Sequence, residues 1–237
     1  MSQTHIYNGL TGRRNFLKVA GAAAALLPMT EFASAADKHS HDKKAAKSRG
    51  TEKKDAPGAK TLLATESLRD LWLGHIFWVR NVSLAAIDNN AAALKASESQ
   101  AVANAQLIAA SIEPFYGAAA KEGFFKLLAG HYGAVKAYLL ATVGDNATAQ
   151  TTATQSLTSN AEELAVFLSK ANPYLPKDAV QSLLLAHGGH HIQQIQQLKA
   201  HDYASEAKTW ESMKNHVYQI ADATADALTK QFPEKFR

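Results

Sequence analysis

From Thr61 to the end of the chain, apolar residues recur every three to four positions in six runs, the spacing that lines one face of a helix. Alternating runs rich in Val, Ile and Thr are absent, so the pattern predicts an all-α protein. The helices should span about 62–88, 90–112, 117–143, 147–170, 177–200 and 203–231. Two kinds of break separate them. Asp88 to Asn90, Gly144 to Asn146 and His201 with Asp202 are short polar turns suited to capping the next helix. Glu113 to Gly117, Ala171 to Pro176 and Gln231 to Pro233 are proline-aromatic stops. Tight turns and proline joints alternate, so the expected architecture is a six-helix bundle of three helical hairpins.

The runs also share a 56-residue period. His75, His131 and His187 keep it, and so do Asn104, Asn160 and His216, each 29 residues after its histidine. Leu71, Leu127 and Leu183, and Ala109, Ala165 and Ala221, follow the same spacing. This is how a duplicated supersecondary unit reads in a sequence. The residue before each histidine is small, Gly74, Gly130 or Ala186, which lets a neighbouring helix approach closely.

Helical arithmetic puts the three histidines on apolar faces. His75 shares its face with Leu68, Trp72 and Val79, His131 with Phe124, Leu128 and Val135, and His187 with Val180, Leu184 and Ile195. Each lies about 14 residues before a turn and its period partner about 14 after. At about 1.5 Å per residue both stand about 21 Å from the turn. With all turns at one end, His75, Asn104, His131, Asn160, His187 and His216 should form one polar layer inside an apolar bundle.

Charge divides the 237 residues into three parts. Residues 1–35 contain Arg13 and Arg14, then Phe16, Leu17 and Lys18, a mild apolar segment, and Ala33-Ser34-Ala35. That order resembles a twin-arginine signal peptide. It implies transient partnership with the twin-arginine translocase and a signal peptidase, and a periplasmic or other extracytoplasmic destination. The apolar run is about half the ~20 residues a membrane span needs. Residues 36–61 read as a disordered charged linker, with His39 and His41 incidental to it. Residues 62–237 form the predicted domain. From residue 61 onward there are 14 basic and 16 acidic residues, so the chain's formal charge of +4 belongs to leader and linker. A nucleic-acid partner, which needs clustered positive charge on the domain, is not expected.

Cysteine is absent, which excludes disulfides, thiolate metal sites, cysteine nucleophiles and c-type haem. Glu-x-x-His, His-Glu-x-x-His, glycine-rich phosphate loops and Gly-x-Ser-x-Gly are also missing. What remains is the histidine layer, and each buried imidazole needs partners. In one arrangement every histidine bonds to the asparagine level with it and the layer is purely structural. In the other, several neutral imidazoles bind a metal ion while Asn104 and Asn160 orient them. The third copy is richer, because His216 replaces an asparagine and His191 adds an imidazole one turn above His187. The candidate ligands are therefore His75, His131, His187, His191 and His216. Histidine-only coordination suits Zn, Cu, Fe or Ni. A non-covalent haem with two histidine ligands is the less favoured fit. Arg80 stands on a largely apolar helix and needs a carboxylate; counting from the turns offers Glu211, and pairs Arg69 with Asp222.

His187-Gly-Gly-His-His191 followed by Ile192-Gln-Gln194-Ile195 resembles the last-helix signature of DinB-like metal-binding bundles. More broadly, Trp72-Leu-Gly-His75-Ile-Phe-Trp78-Val-Arg80-Asn81, Asn104, Asn160 and the Asn172-Pro173 and Gln231-Phe-Pro233 hairpin ends resemble an uncharacterised family of bacterial helical-bundle proteins. That resemblance implies a helical bundle and no activity, and marks His75, Arg80, Asn81, Asn104, His131, Asn160 and His187. Two functions stay open: a metal- or cofactor-binding exported bundle, or a non-catalytic periplasmic binding or envelope-interaction module. Neither says whether the protein is an enzyme.

Overall fold

The computed structural model describes residues 58–237. The twin-arginine-like stretch and the linker to residue 57 lie outside the described residues. Each of the six periodic runs forms a helix: α1 Ala59–Ile87, α2 Ala91–Ser111, α3 Glu113–Val143, α4 Ala147–Ala171, α5 Lys177–Lys199 and α6 Tyr203–Gln231, followed by a 3₁₀ turn at Pro233–Lys235. α1 begins three residues before the pattern predicted, so 59–61 are helix rather than linker. α3 takes in the joint before it. Gly117, with φ 82° and ψ 174°, breaks it after its first turn, a conformation open to glycine alone.

The three polar turns are built alike. Asn89, Asp145 and His201 adopt left-handed φ values of 51°, 52° and 55°. The next residue then caps the following helix, Asn90 accepting from Ala93 N, Asn146 from Ala149 N and Asp202 from Ser205 N at 3.0–3.1 Å. Those bonds satisfy amides that a helix start leaves unpaired.

At the opposite end the proline joints are tied together. Tyr116 donates to Gln231 Oε1 (2.6 Å) and accepts from Asn172 Nδ2 (3.0 Å), while Gln231 Nε2 donates to the Ala171 carbonyl (3.0 Å). Phe115 packs on Phe232 and stacks on Phe236 at 5.7 Å.

The helices close into a ring: each packs on its chain neighbours, and α6 packs back on α1. Inside the ring, α1, α3 and α5 also touch one another. Odd-numbered helices therefore face a common axis, and even-numbered ones sit in the outer seams. The axis is filled at the joint end by Leu68, Trp72, Phe124, Leu128, Leu164, Val180 and Leu184, and at the turn end by Val79, Val82, Val135, Tyr138, Leu139 and Ile195. Between these two apolar zones lies the polar layer. Among the described residues, no helix is long and apolar enough to cross a membrane.

Candidate metal centre

Four imidazoles meet on the axis. His75 comes from α1, His131 from α3, and His187 and His191 from successive turns of α5; they are 7%, 5%, 1% and 1% exposed. One ring nitrogen from each lies within 4.8 Å of those from the other three. His187 Nε2 is 3.4 Å from His75 Nε2 and 3.1 Å from His191 Nε2. The rings of His131 and His187 stack at 5.4 Å. Trp72 walls the group, its ring edge-on to both His75 and His187 at 5.9 Å.

The group is poorly satisfied by the protein alone. A ring nitrogen has either one hydrogen or one in-plane lone pair, so His187 Nε2 cannot make a good bond to both neighbours. His131 Nε2, His187 Nδ1 and His191 Nδ1 are buried with no partner in the protein, each a cost on the order of 1–3 kcal/mol. Burial keeps the rings neutral. It lowers His75 to a pKa of about 3, with the neighbouring His131 adding to the effect. It lowers His131 to about 4, with the neighbouring Asn160 side chain acting in the opposite direction. His187 and His191 are pushed well below the ordinary histidine range by burial first and by the other imidazoles second. Neutral imidazole is the form that ligates metal. A tetrahedral ion with bonds of about 2.0–2.1 Å spaces its ligand nitrogens about 3.3–3.4 Å apart. The His187–His75 contact already has that spacing and the His187–His191 contact is close to it. The donor set therefore fits a transition ion of the Zn, Cu, Fe or Ni group.

The fifth expected ligand stands apart. His216, on α6, is half-buried and stacks on His187 at 6.3 Å, but its Nε2 donates to the Leu183 carbonyl (2.8 Å). Nor do the asparagine amide nitrogens go to the rings. Asn104 Nδ2 donates to the Leu71 carbonyl and Asn160 Nδ2 to the Leu127 carbonyl, both at 3.0 Å. All three bonds span 33 residues and tie an outer helix to the turn of an inner helix just before its histidine. The small residue ahead of His75 permits this: a Cβ on Gly74 would stand 2.9 Å from Asn104 Nδ2, and one on Gly130 would stand 3.3 Å from Asn160 Nδ2. Equal depth was correct for these residues, but the ring arrangement puts α2, α4 and α6 off the axis. Asn81 is also remote, its amide donating to the Phe77 carbonyl of its own helix (2.8 Å).

Arg80 pairs with Glu206, not Glu211. Its Nε and Nη2 donate to Glu206 Oε1 and Oε2 at 2.6 and 2.9 Å, and Gln194 Nε2 donates to Oε1 at 2.9 Å. Glu211 instead accepts from Lys214, one turn along α6. Depth counting assumes parallel axes, and a long arginine spans the error of more than a turn that this assumption leaves. Where the geometry allowed it the count worked, since Arg69 holds Asp222 through two bonds of 2.7 and 2.6 Å. Glu206 is 3% exposed, and Arg80 foremost holds its carboxyl below the usual range. The sequence signal for it was its place on the buried stripe Glu206, Thr209, Met213, Val217 of α6.

The two sides of the histidine group thus differ. Toward the turns lies the Gln194–Glu206–Arg80 chain. Toward the joints lies a narrow cavity of about 50 Å³, bounded by all six helices and floored by His75, His131 and His187. It is far smaller than the roughly 300–1,000 Å³ of a drug-sized pocket, and a porphyrin does not fit it. No family model, curated protein or solved structure matches the chain.

Proposed function

We propose that this protein binds a transition-metal ion on His75, His131, His187 and His191, and does so as an exported bundle built from three copies of one helical hairpin. The observation that carries the metal is the convergence of four buried, neutral imidazoles whose nitrogens lie within 4.8 Å of one another. Uncompensated polar atoms in a dry core are costly. An ion taking the lone pairs of His131 Nε2 and of the crowded His75, His187 and His191 Nε2 atoms relieves that crowding and leaves Nδ1 of His187 and of His191 to carry their hydrogens. Supporting the repeat are the 56-residue spacing of the left-handed turn residues, of the caps and of the Asn104, Asn160 and His216 bonds. Supporting export is the twin-arginine-like leader, a route that moves folded proteins.

The protein's own residues would hold the ion in place. Trp72 excludes water from one flank, and the asparagine and His216 bonds fix the inner helices against the outer ones. The ion would supply Lewis acidity or electron transfer at any open coordination position. The second reading, a non-catalytic binding or envelope-interaction module with a structural polar layer, draws support from the His187 Nε2 contacts to His75 and His191, either one of which can serve as a ring-to-ring hydrogen bond.

Elemental analysis of protein purified from its native compartment separates the two. About one transition ion per chain is expected, lost in His131→Ala and His187→Ala, with a chelator lowering the melting temperature of the parent. At free metal 100-fold above Kd the expected stabilisation is about 2.7 kcal/mol. A parent protein that stays metal-free when offered Zn, Cu, Fe and Ni, and that melts at the same temperature with and without chelator, leaves the structural reading standing.

A further inference from the structure

Apart from the histidines on its floor, the cavity offers no group that could hold an ion. Its walls are Leu, Ile, Val and Phe side chains such as Leu128, Leu164 and Ile220, and its hydroxyl groups are spent inside their own helices. Ser111 donates to the Ile108 carbonyl at 2.7 Å and Thr224 to the Ile220 carbonyl at 2.8 Å. A buried water needs about two to four polar partners, and away from the histidine end the cavity offers no free donor. A charged or strongly polar guest would lose its hydration uncompensated. The volume, about 50 Å³, matches one or two molecules near the size of water, by the rough 30 Å³ each occupies in the liquid. His131 Nε2, buried and unpartnered, belongs to a residue on the cavity floor.

We propose that this cavity binds a small uncharged ligand of the diatomic-gas class, such as dioxygen, nitric oxide or carbon monoxide, and delivers it to the histidine centre; only the delivery rests on the metal reading above. Dry, preformed apolar cavities take up such guests readily. The walls then select by size and polarity, admitting a diatomic molecule to the joint side of the centre while excluding ions and larger organic molecules.

The test has two arms. Crystals of the metal-free protein under xenon pressure should show a xenon atom between Leu128, Leu164 and Ile220. Ala223→Leu and Leu168→Phe, two independent variants at half-buried wall positions, should abolish that density without changing metal affinity. In the second arm the protein is loaded with Fe(II) anaerobically and mixed with nitric oxide; nitrosyl formation should slow at least tenfold in both variants. Absence of xenon from the parent cavity overturns the proposal. So does nitrosyl formation at equal rates in parent and in a variant whose circular dichroism shows it folded. Xenon bound in a protein that takes up no Fe(II) supports the cavity site and overturns the delivery step, while the metal reading is decided by the Zn, Cu and Ni measurements above.

Discussion

At the scale of single residues the histidines link stability to pH. Folding lowers their pKa values, to about 3 for His75 and about 4 for His131, and well below the ordinary value for His187 and His191. The unfolded chain therefore binds more protons than the folded one once pH drops below the ordinary histidine value of 6.5. The stabilisation is complete above that value and is lost as pH falls through the range down to about 3. The slope is at most about 1.4 kcal/mol per pH unit for each histidine. Urea titrations of metal-free protein between pH 8 and 4.5 should show stability flat at the alkaline end and falling steeply below about pH 6. A profile flat through pH 5 would mean that the rings titrate alike in the folded and unfolded chain, as solvated imidazoles do. Four of the five histidines expected to converge do so, and they were legible as histidines on apolar faces. His216 was not distinguishable from them, because spacing along the chain gives depth in a bundle but not distance from its axis. Glu211 was chosen over Glu206 for a related reason, since level counting ignored which carboxylate lay on the buried stripe of α6.

At the scale of elements, the turns determine where α2, α4 and α6 start. Asn89, Asp145 and His201 hold positive φ values that cost a residue with a Cβ on the order of 1–2 kcal/mol, less for Asn and Asp. Asn89→Val should destabilise the domain by about 1–2 kcal/mol in a denaturant melt, while Asn89→Gly should be near neutral, because its relaxed backbone is offset by a freer unfolded chain. Equal stability of the two variants would show that the turn does not constrain the hairpin. These turns were readable from their polar residues, as were the proline joints. The start of α1 was not, because Ala59 and Lys60 favour helix while Pro57 and Gly58 mark a break. Nor was the inclusion of Glu113–Tyr116 in α3, where a single glycine at φ 82° lets two helical segments run together.

At the scale of the whole molecule, periodicity implied inward-facing histidines but not the division into inner and outer helices. That division follows from packing. A ring of six helices around a solid core leaves room for three at the centre, and the bulkier faces of α1, α3 and α5, with Trp72, Phe124 and Leu184, take it. The smaller faces of α2 and α4, rich in alanine, fill the seams.

Because α6 returns to α1, the ring has no intrinsic beginning: the Phe236 carbonyl lies 3.7 Å from where a Cβ on Gly58 would stand. Residues 58 and 236 can be joined by a short glycine-serine link and the chain reopened at the exposed Asp145 turn, giving the order α4, α5, α6, α1, α2, α3. Such a circular permutant should keep the parent's helical circular dichroism and whatever metal affinity the parent has. Helix order would then be a matter of translation rather than of structure, and a histidine group drawn from α1, α3 and α5 would survive the rearrangement.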